Sequence, residues 1–408
     1  MRLMECSQRT NSKQKAGDSI AGKIRGYVDK AIIKFNVLTL MIALFLVTML
    51  LVLFGAHWLV YFSLTRFFSM TGAAERYWLM FGLAVLAVSF FSSSALAHFA
   101  NNWATRSFYF ASSTWLGILT NLVLTFGMAW IVIIIGKSLA FQISLPFLGR
   151  SAMLLAVLLS GWGMWNAFHP QIKRIEVTIP NLPEAWKGRH IVQLSDVHIG
   201  HVHGQEFLQK VVSMTNELQP DAVMITGDLF DGMDGQLNSL TGPLINLTAP
   251  HGVYFITGNH ETYLGVKKTL AVLEQYPQIQ ILQDRLIRED GLQIIGLDYP
   301  ERGSTKNVEA SLAGISDFSK TEPSILLHHS PTGMDEAKQN GVGLQLSGHT
   351  HRGQLFPFNF ITALIYHGYD AGLHQQEGFS EYTSVGVGTW GPPMRTSSRP
   401  EITLIELH

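Results

Sequence analysis

The chain is 408 residues long, room for two or three domains, and only 14% of its residues are charged, with a formal net charge of −1. So even a balance gives no electrostatic bias toward nucleic acid, which is not expected as a partner; the sequence names no protein partner either. The single cysteine, Cys6, excludes an intramolecular disulfide framework and any thiolate metal cage.

The charge deficit lies before residue 170. Residues 1–35 form a basic segment carrying Arg2, Arg9, Lys13, Lys15, Lys23, Arg25, Lys30 and Lys34. Residues 36–168 hold four apolar stretches: Asn36–Phe62, Tyr77–Phe99, Phe108–Ile135 and Ser151–Phe168. Each reaches or nearly reaches the ~20 residues needed to cross ~30 Å of hydrocarbon, the fourth being the shortest. The first has no polar face, and Trp58 and Tyr61 suit a membrane interface. A multi-span α-helical membrane anchor is therefore expected. The basic leader, and Lys173, Arg174, Lys187 and Arg189 after the last stretch, contrast with Arg66 and Arg76 alone in the first loop. With an even number of spans, this pattern places both ends on the cytoplasmic side.

Residues 169–408 have a different texture, with short β-branched runs alternating with amphipathic ones. Ile191–Ser195, Ala222–Thr226 and Val253–Thr257 predict buried strands, and Glu206–Leu218 and Val266–Tyr276 predict the helices after two of them. Leu292–Leu297, Ser324–His329, Leu344–His349 and Glu401–Leu407 predict further strands. The rhythm argues for a layered α/β domain.

Polar residues suited to metals recur where these strands end. Asp196 and His198 follow the first, Gly227-Asp228 the second, and Gly258-Asn259-His260-Glu261 the third. His328-His329 and Gly348-His349-Thr350-His351 follow two later ones. Loops at the carboxyl ends of strands in open α/β sheets bind ligands. Carboxylate, amide and imidazole donors without thiolate suit Mn, Fe or Zn, and one aspartate can bridge a metal pair ~3.5–4 Å apart. Glycine before Asp228, Asn259 and His349 allows tight turns. From strand geometry alone either His328 or His329 can face the site, since neighbours point to opposite faces.

The order DxH, GD, GNHE, H and GHTH resembles the calcineurin-like metallophosphoesterase superfamily over residues 175–408. IVQLSDVHIG and GHTHRGQ are similar to its branch of membrane-associated bacterial enzymes, which lies near pyrophosphatases of lipid A synthesis. The resemblance implies a four-layer α/β/β/α metallophosphoesterase sandwich, a bacterial inner-membrane location and two divalent metal ions, with Mn favoured. It puts the first metal on Asp196, His198, Asp228 and His351. The second falls on Asp228, Asn259, His329 and His349, with Asp228 bridging. It also implies in-line attack by a metal-bridging hydroxide, with His260 beside the leaving oxygen and Asp231 and Glu261 orienting the histidine ligands. Arg352 stands where the family usually has glycine and is a candidate phosphate clamp. His201 is a candidate substrate-lining residue.

The apolar run Leu355–His374 is expected either in a core or as a lip toward membrane or acyl chain. Trp390–Pro400, with Arg395 and Arg399, is expected to cover the site. The function expected is hydrolysis of a phosphoester or pyrophosphate bond in a lipid-linked substrate. Two alternatives stand beside it: a phosphodiesterase or phosphatase acting on a soluble nucleotide or ester, and a non-catalytic metal-binding sensor or scaffold.

Overall fold

The computed structural model describes residues 39–408 apart from 42, 101, 233–236 and 302–303, so the basic segment 1–35 lies outside the described residues. The chain falls into two compact units, residues 1–59 and 60–408, and the contacts below lie within the second.

Four long helices come first: α1 (Thr39–Phe67), α2 (Ala73–Phe99), α3 (Trp103–Ser138) and α4 (Leu145–Ala167), each long and apolar enough to cross a membrane. The last begins at Leu145 rather than Ser151, because Pro146 occupies a position in the first turn that favours it. The start of α3 is fixed by Asn102, which accepts from the N–H groups of Ala104 and Thr105 while Thr105 Oγ1 accepts from the Asn102 N–H. Small and polar residues face inward. In α4 the buried positions are Gly149, Ala152, Ala156, Ser160, Gly163, Asn166 and Ala167. Leu154, Val157, Leu158, Trp162 and Trp165 of the same helix point outward. That pattern is what helices show when lipid surrounds them and close packing holds them together. Polar pairs join the helices, Ser93 Oγ with Ser112 Oγ at 2.5 Å and Asn121 Nδ2 to Ser160 Oγ at 3.0 Å.

The remainder is a four-layer α/β/β/α sandwich. Its strands are β1 (Gln171–Val177), β2 (His190–Leu194), β3 (Ala222–Ile225), β4 (Val253–Phe255), β5 (Ile279–Ile281), β6 (Arg285–Glu289), β7 (Leu292–Gly296), β8 (Ser324–Leu327), β9 (Leu344–Ser347), β10 (Gly372–Gln376), β11 (Phe379–Thr383) and β12 (Glu401–Leu407). Its helices are α5 (Gln205–Glu217), α6 (Leu237–Leu240), α7 (Asn259–Leu264), α8 (Val266–Leu273), α9 (Val308–Gly314), α10 (Met334–Gln339) and α11 (Phe358–Ile365). One sheet has the order β1-β12-β2-β3-β4-β5 and the other β10-β11-β9-β8-β7-β6. Alternation decides which layer each residue joins. Val192, Leu194, Val223 and Ile225 pack under α5 and α8 with Leu208, Val211 and Leu273. Ile191, Met224 and Tyr254 meet Ile294, Ile325 and Leu346 between the sheets. Ile295 and Leu326 lie under α9 and α10 with Leu312 and Ala337. Strands β2, β3 and β4 run parallel, as do β7, β8, β9 and β11, so their carboxyl ends gather two sets of loops along one edge.

Candidate metal centre

The loops at that edge carry the donors. Five of them stand in left-handed backbone: Asp196 at φ 54°, His198 at 51°, Asp228 at 52°, His349 at 73° and His351 at 49°. Each such residue costs about 1 kcal/mol, and clustered strain of this kind marks functional turns. Close approach also dictates glycine. A Cβ on Gly348 would collide with Ser195 Oγ and Asp196 Oδ2, and one on Gly258 with Asp228 Oδ1.

These turns bring the donors into two adjoining groups, Asp196 with His198 and His351, and Asp228 with His329 and His349. In the first group His351 Nε2 lies 3.2 Å from Asp196 Oδ1 and 2.9 Å from His198 Nε2. In the second His329 Nε2 is 3.2 Å from both Asp228 Oδ2 and Asn259 Oδ1. His329 Nδ1 donates to the Thr226 carbonyl at 2.8 Å, which turns Nε2 inward. Asp228 Oδ2 is also 3.9 Å from His198 Nε2, so this carboxylate adjoins both groups. His328 faces away, with Nε2 against Thr332 Oγ1 at 3.2 Å.

Electrostatics suit cations. Burial raises the Asp196 carboxyl, yet His351, His329 and His198 together hold it well below the usual carboxylate range. Asp228 is likewise held low against burial, chiefly by His329 and His260. Burial, then His260 and His351, push His198 well down; burial, then His329, bring His349 to about 4. Burial lowers His329, but the charge and hydrogen bond of Asp228, the Asp196 charge and the Thr226 carbonyl together raise it to about 10. Ionised carboxylates beside neutral imidazoles are the forms that ligate divalent ions, which here would displace the His329 proton. Among the described residues the ion-pair partners of Asp196 and Asp228 are all imidazoles. Two buried nitrogens that make no hydrogen bond, His198 Nδ1 and His349 Nδ1, lie in the same cluster. The donor set fits a pair of oxygen- and nitrogen-bound cations.

Around these donors, Glu261 is wholly buried and accepts from the N–H groups of Asp228 (2.9 Å), Gly258 (2.6 Å) and Phe230 (3.1 Å). It therefore ties the β3 and β4 loops together through main chain and not through an imidazole. Burial and the Asp228 charge push its carboxyl up to about 7. Asp231 Oδ1 lies 3.7 Å from His198 Nδ1, and burial with Asp228 raises its carboxyl well above normal. His260 donates its N–H to Asp228 Oδ1 (2.8 Å), and its Nδ1 contacts the Asp231 carbonyl at 2.7 Å. Arg352 is exposed, with φ 49°. His201 is not among the grouped donors: it is buried edge-on against Tyr109 of α3, at 5.7 Å between ring centres. Burial, then Arg106, lower it to about 4.

Sequence reasoning missed the part played by Arg395. Its guanidinium is fully buried and donates to His351 Nδ1 at 2.7 Å and to the Val385 carbonyl at 2.6 Å, besides Gly388 O and Ser398 Oγ. Only its place in a turn-rich loop after the last motif pointed to it. Beyond His351, α11 has no buried residue; Phe360, Leu364 and Ile365 are exposed by 63%, 77% and 59%. This helix is tied to the donors, since Thr362 donates to Asp370 Oδ2 (2.7 Å) and Thr350, between His349 and His351, donates to Asp370 O (2.6 Å). Exposed Trp390 is tied to the turn that precedes α11, where Gln354 Nε2 donates to the Trp390 carbonyl at 3.0 Å.

The model of the calcineurin-like phosphoesterase family matches residues 189–353. A transmembrane protein with metallophosphoesterase domain from Danio rerio is 37% identical over 276 residues, covering 63% of this chain and 62% of the relative. Its Bos taurus counterpart is 34% identical over 276 residues, covering 63% and 61%. An uncharacterized metallophosphoesterase of Campylobacter jejuni is 34% identical over 264 residues, covering 63% and 68%. The chain thus spans 62% and 61% of the two vertebrate relatives' length.

Proposed function

Because the chain belongs to the calcineurin-like metallophosphoesterase family, we propose that it is a membrane-held, binuclear hydrolase that cleaves a phosphoester or pyrophosphate bond in a lipid-linked substrate. Asp196, His198, Asp228 and His351 would hold one divalent cation, and Asp228, Asn259, His329 and His349 the other, with Mn, Fe or Zn suiting these donors. Bound there, the pair supplies Lewis-acid activation of water and neutralises charge on the phosphoryl oxygens. His260, steadied through Nδ1 by the Asp231 carbonyl, keeps Nε2 for proton transfer to the leaving oxygen. Glu261 keeps the Asp228 main chain in place. Arg352, exposed beside His351, is free to meet a phosphate oxygen.

The lipid reading is carried by the exposed apolar surface of α11 on the segment that follows the GHTH loop. Each large apolar side chain removed from water gains about 1.5–3 kcal/mol, so a helix of this composition favours an acyl chain or the headgroup boundary over solvent. The Lys and Arg residues after α4 support a catalytic domain on the cytoplasmic side, in the bacterial case of the inner membrane. The test compares a lipid phosphate in mixed micelles with a water-soluble phosphodiester, using the full chain and its F360S/L364S variant. The variant is expected to lose at least tenfold in kcat/KM on the lipid and to keep the soluble activity. Equal activity of both proteins on the lipid would sink the lipid reading and favour a soluble nucleotide or ester. Inertness with every one of Mn, Fe and Zn would leave the non-catalytic sensor.

A further inference from the structure

Arg395 has two sets of attachments that point in opposite directions. Its side chain ends on the first donor group, at His351 Nδ1 (2.7 Å) and the His351 carbonyl (3.3 Å). Arginine can only donate, so His351 Nδ1 accepts and the proton of the neutral ring sits on Nε2, the nitrogen turned to Asp196 and His198. A cation held there would displace that proton and leave a ring anion that the guanidinium balances. Its main chain ends on α4: the N–H donates to the Gly163 carbonyl at 2.9 Å, and Asn166 Nδ2 donates to the Arg395 carbonyl at 3.0 Å. Asn166 also holds the Ser398 carbonyl at 3.0 Å, while Ser398 Oγ donates to the His351 carbonyl at 3.1 Å.

Met394 extends the attachment to a second helix. Its sulfur accepts from Asn121 Nδ2 of α3 at 3.3 Å. A Cβ on Gly117 of α3 would come within 2.9 Å of Met394 Cε, and one on Gly163 of α4 within 2.7 Å of Met394 Cγ. Glycine at both places lets the loop seat between two membrane-spanning helices. Next to a neutral ligand a guanidinium opposes the incoming ion on charge grounds alone. Besides balancing a ring anion, it offers a planar fork, here filled by carbonyls, a hydroxyl and an imidazole, that fixes one ring in one orientation.

We infer that α3 and α4 are part of the metal centre's framework, with Met394 and Arg395 as positioning residues that transmit the spacing of the two helices to His351. The inference rests on the metal-binding reading of the donor cluster. It makes the anchor more than a tether: the half of the centre built on Asp196, His198 and His351 depends on the spans, whereas the half built on Asp228, His329 and His349 does not.

The experiment uses the full chain in detergent, stripped of metal and titrated with Mn, with bound equivalents and affinity read by electron paramagnetic resonance. The wild type is expected to take up about two equivalents. G163L, which crowds Met394, is expected to keep about one at unchanged affinity and to bind the other at least tenfold more weakly. N166A, which removes two hydrogen bonds without adding bulk, shifts the same site in the same direction and decides the matter if G163L does not fold. G161L, at a position with no neighbouring atom within 4 Å of an added Cβ, is expected to match the wild type. Wild-type Mn binding in both G163L and N166A would overturn the inference while leaving the metal centre intact. Equal weakening of both sites overturns it as well, by showing general loosening, and a wild type that binds no Mn removes the inference together with the metal reading.

Discussion

Removing Glu261 tests how the two halves of the site are locked. Glu261→Ala takes the acceptor from three N–H groups, those of Asp228, Gly258 and Phe230, all bonded to one buried carboxylate. A hydrogen bond to a charged partner is worth about 1.5–3 kcal/mol, and a buried donor left bare costs about 1–3. Burial and Asp228 push the Glu261 carboxyl up to about 7, so near neutral pH in metal-free protein the charge-assisted share is partial. Roughly 1–1.5 kcal/mol per bond then gives a loss of about 3–5 kcal/mol. At about 2–4 °C per kcal/mol for a domain of this size, the apparent Tm should fall by roughly 10 °C. Because the Asp228 N–H is one of the three, Mn affinity should fall about tenfold or more. Glu261→Gln, which keeps one oxygen, should lie between. The assay is thermal melting of the full chain in detergent, with a parallel Mn titration. A Tm within about 2 °C of wild type together with unchanged Mn affinity would refute the role of Glu261 as a tie between loops.

Two further outcomes follow from other residues. His260→Asn should lower kcat by about 10²–10⁴ while bound Mn stays at the wild-type level, measured by steady-state kinetics and metal analysis; loss of metal instead would make His260 a structural residue. Glu381, buried in β11, has its carboxyl pushed up to about 8 by burial. The fold therefore favours its protonated form, and that contribution is full below the ordinary carboxylate pKa of ~4.3 and disappears as pH rises through about 8, a swing of at most about 5 kcal/mol. Glu381→Gln should flatten the decline of Tm between pH 5.5 and 8.5; an unchanged slope would contradict the burial argument.

Much of the fold and most of the donor cluster were legible because both are encoded locally. Strands β3 and β4 are unbroken apolar runs, and β2 after its first residue is one interrupted only by Gln193; each stops at polar residues, so their ends showed where Asp196, Asp228 and Asn259 would stand. The edge strands were harder. Arg285–Glu289 and Gly372–Gln376 are half-exposed and carry polar residues at most positions, with no periodicity that separates strand from loop. His201 resembled a site residue because it follows DVHIG. Its surroundings come instead from Tyr109 in α3, far away in the chain. Arg395 was unreadable for the same reason, its environment being built from Gly163, His351 and Val385. For Phe358–Ile365 composition announced an apolar helix, but whether a partner layer covers it is decided only by tertiary packing.

The claim on which all of this depends is that Asp228 is shared by two cations. Metal-free full-length protein, titrated with Mn and followed by electron paramagnetic resonance, addresses it directly. About two equivalents should bind and produce the signal of a spin-coupled pair, as ions ~3.5–4 Å apart do. In Asp228→Ala that coupled signal should vanish. A single isolated Mn in the wild type, or a coupled pair that survives the loss of Asp228, would contradict the account.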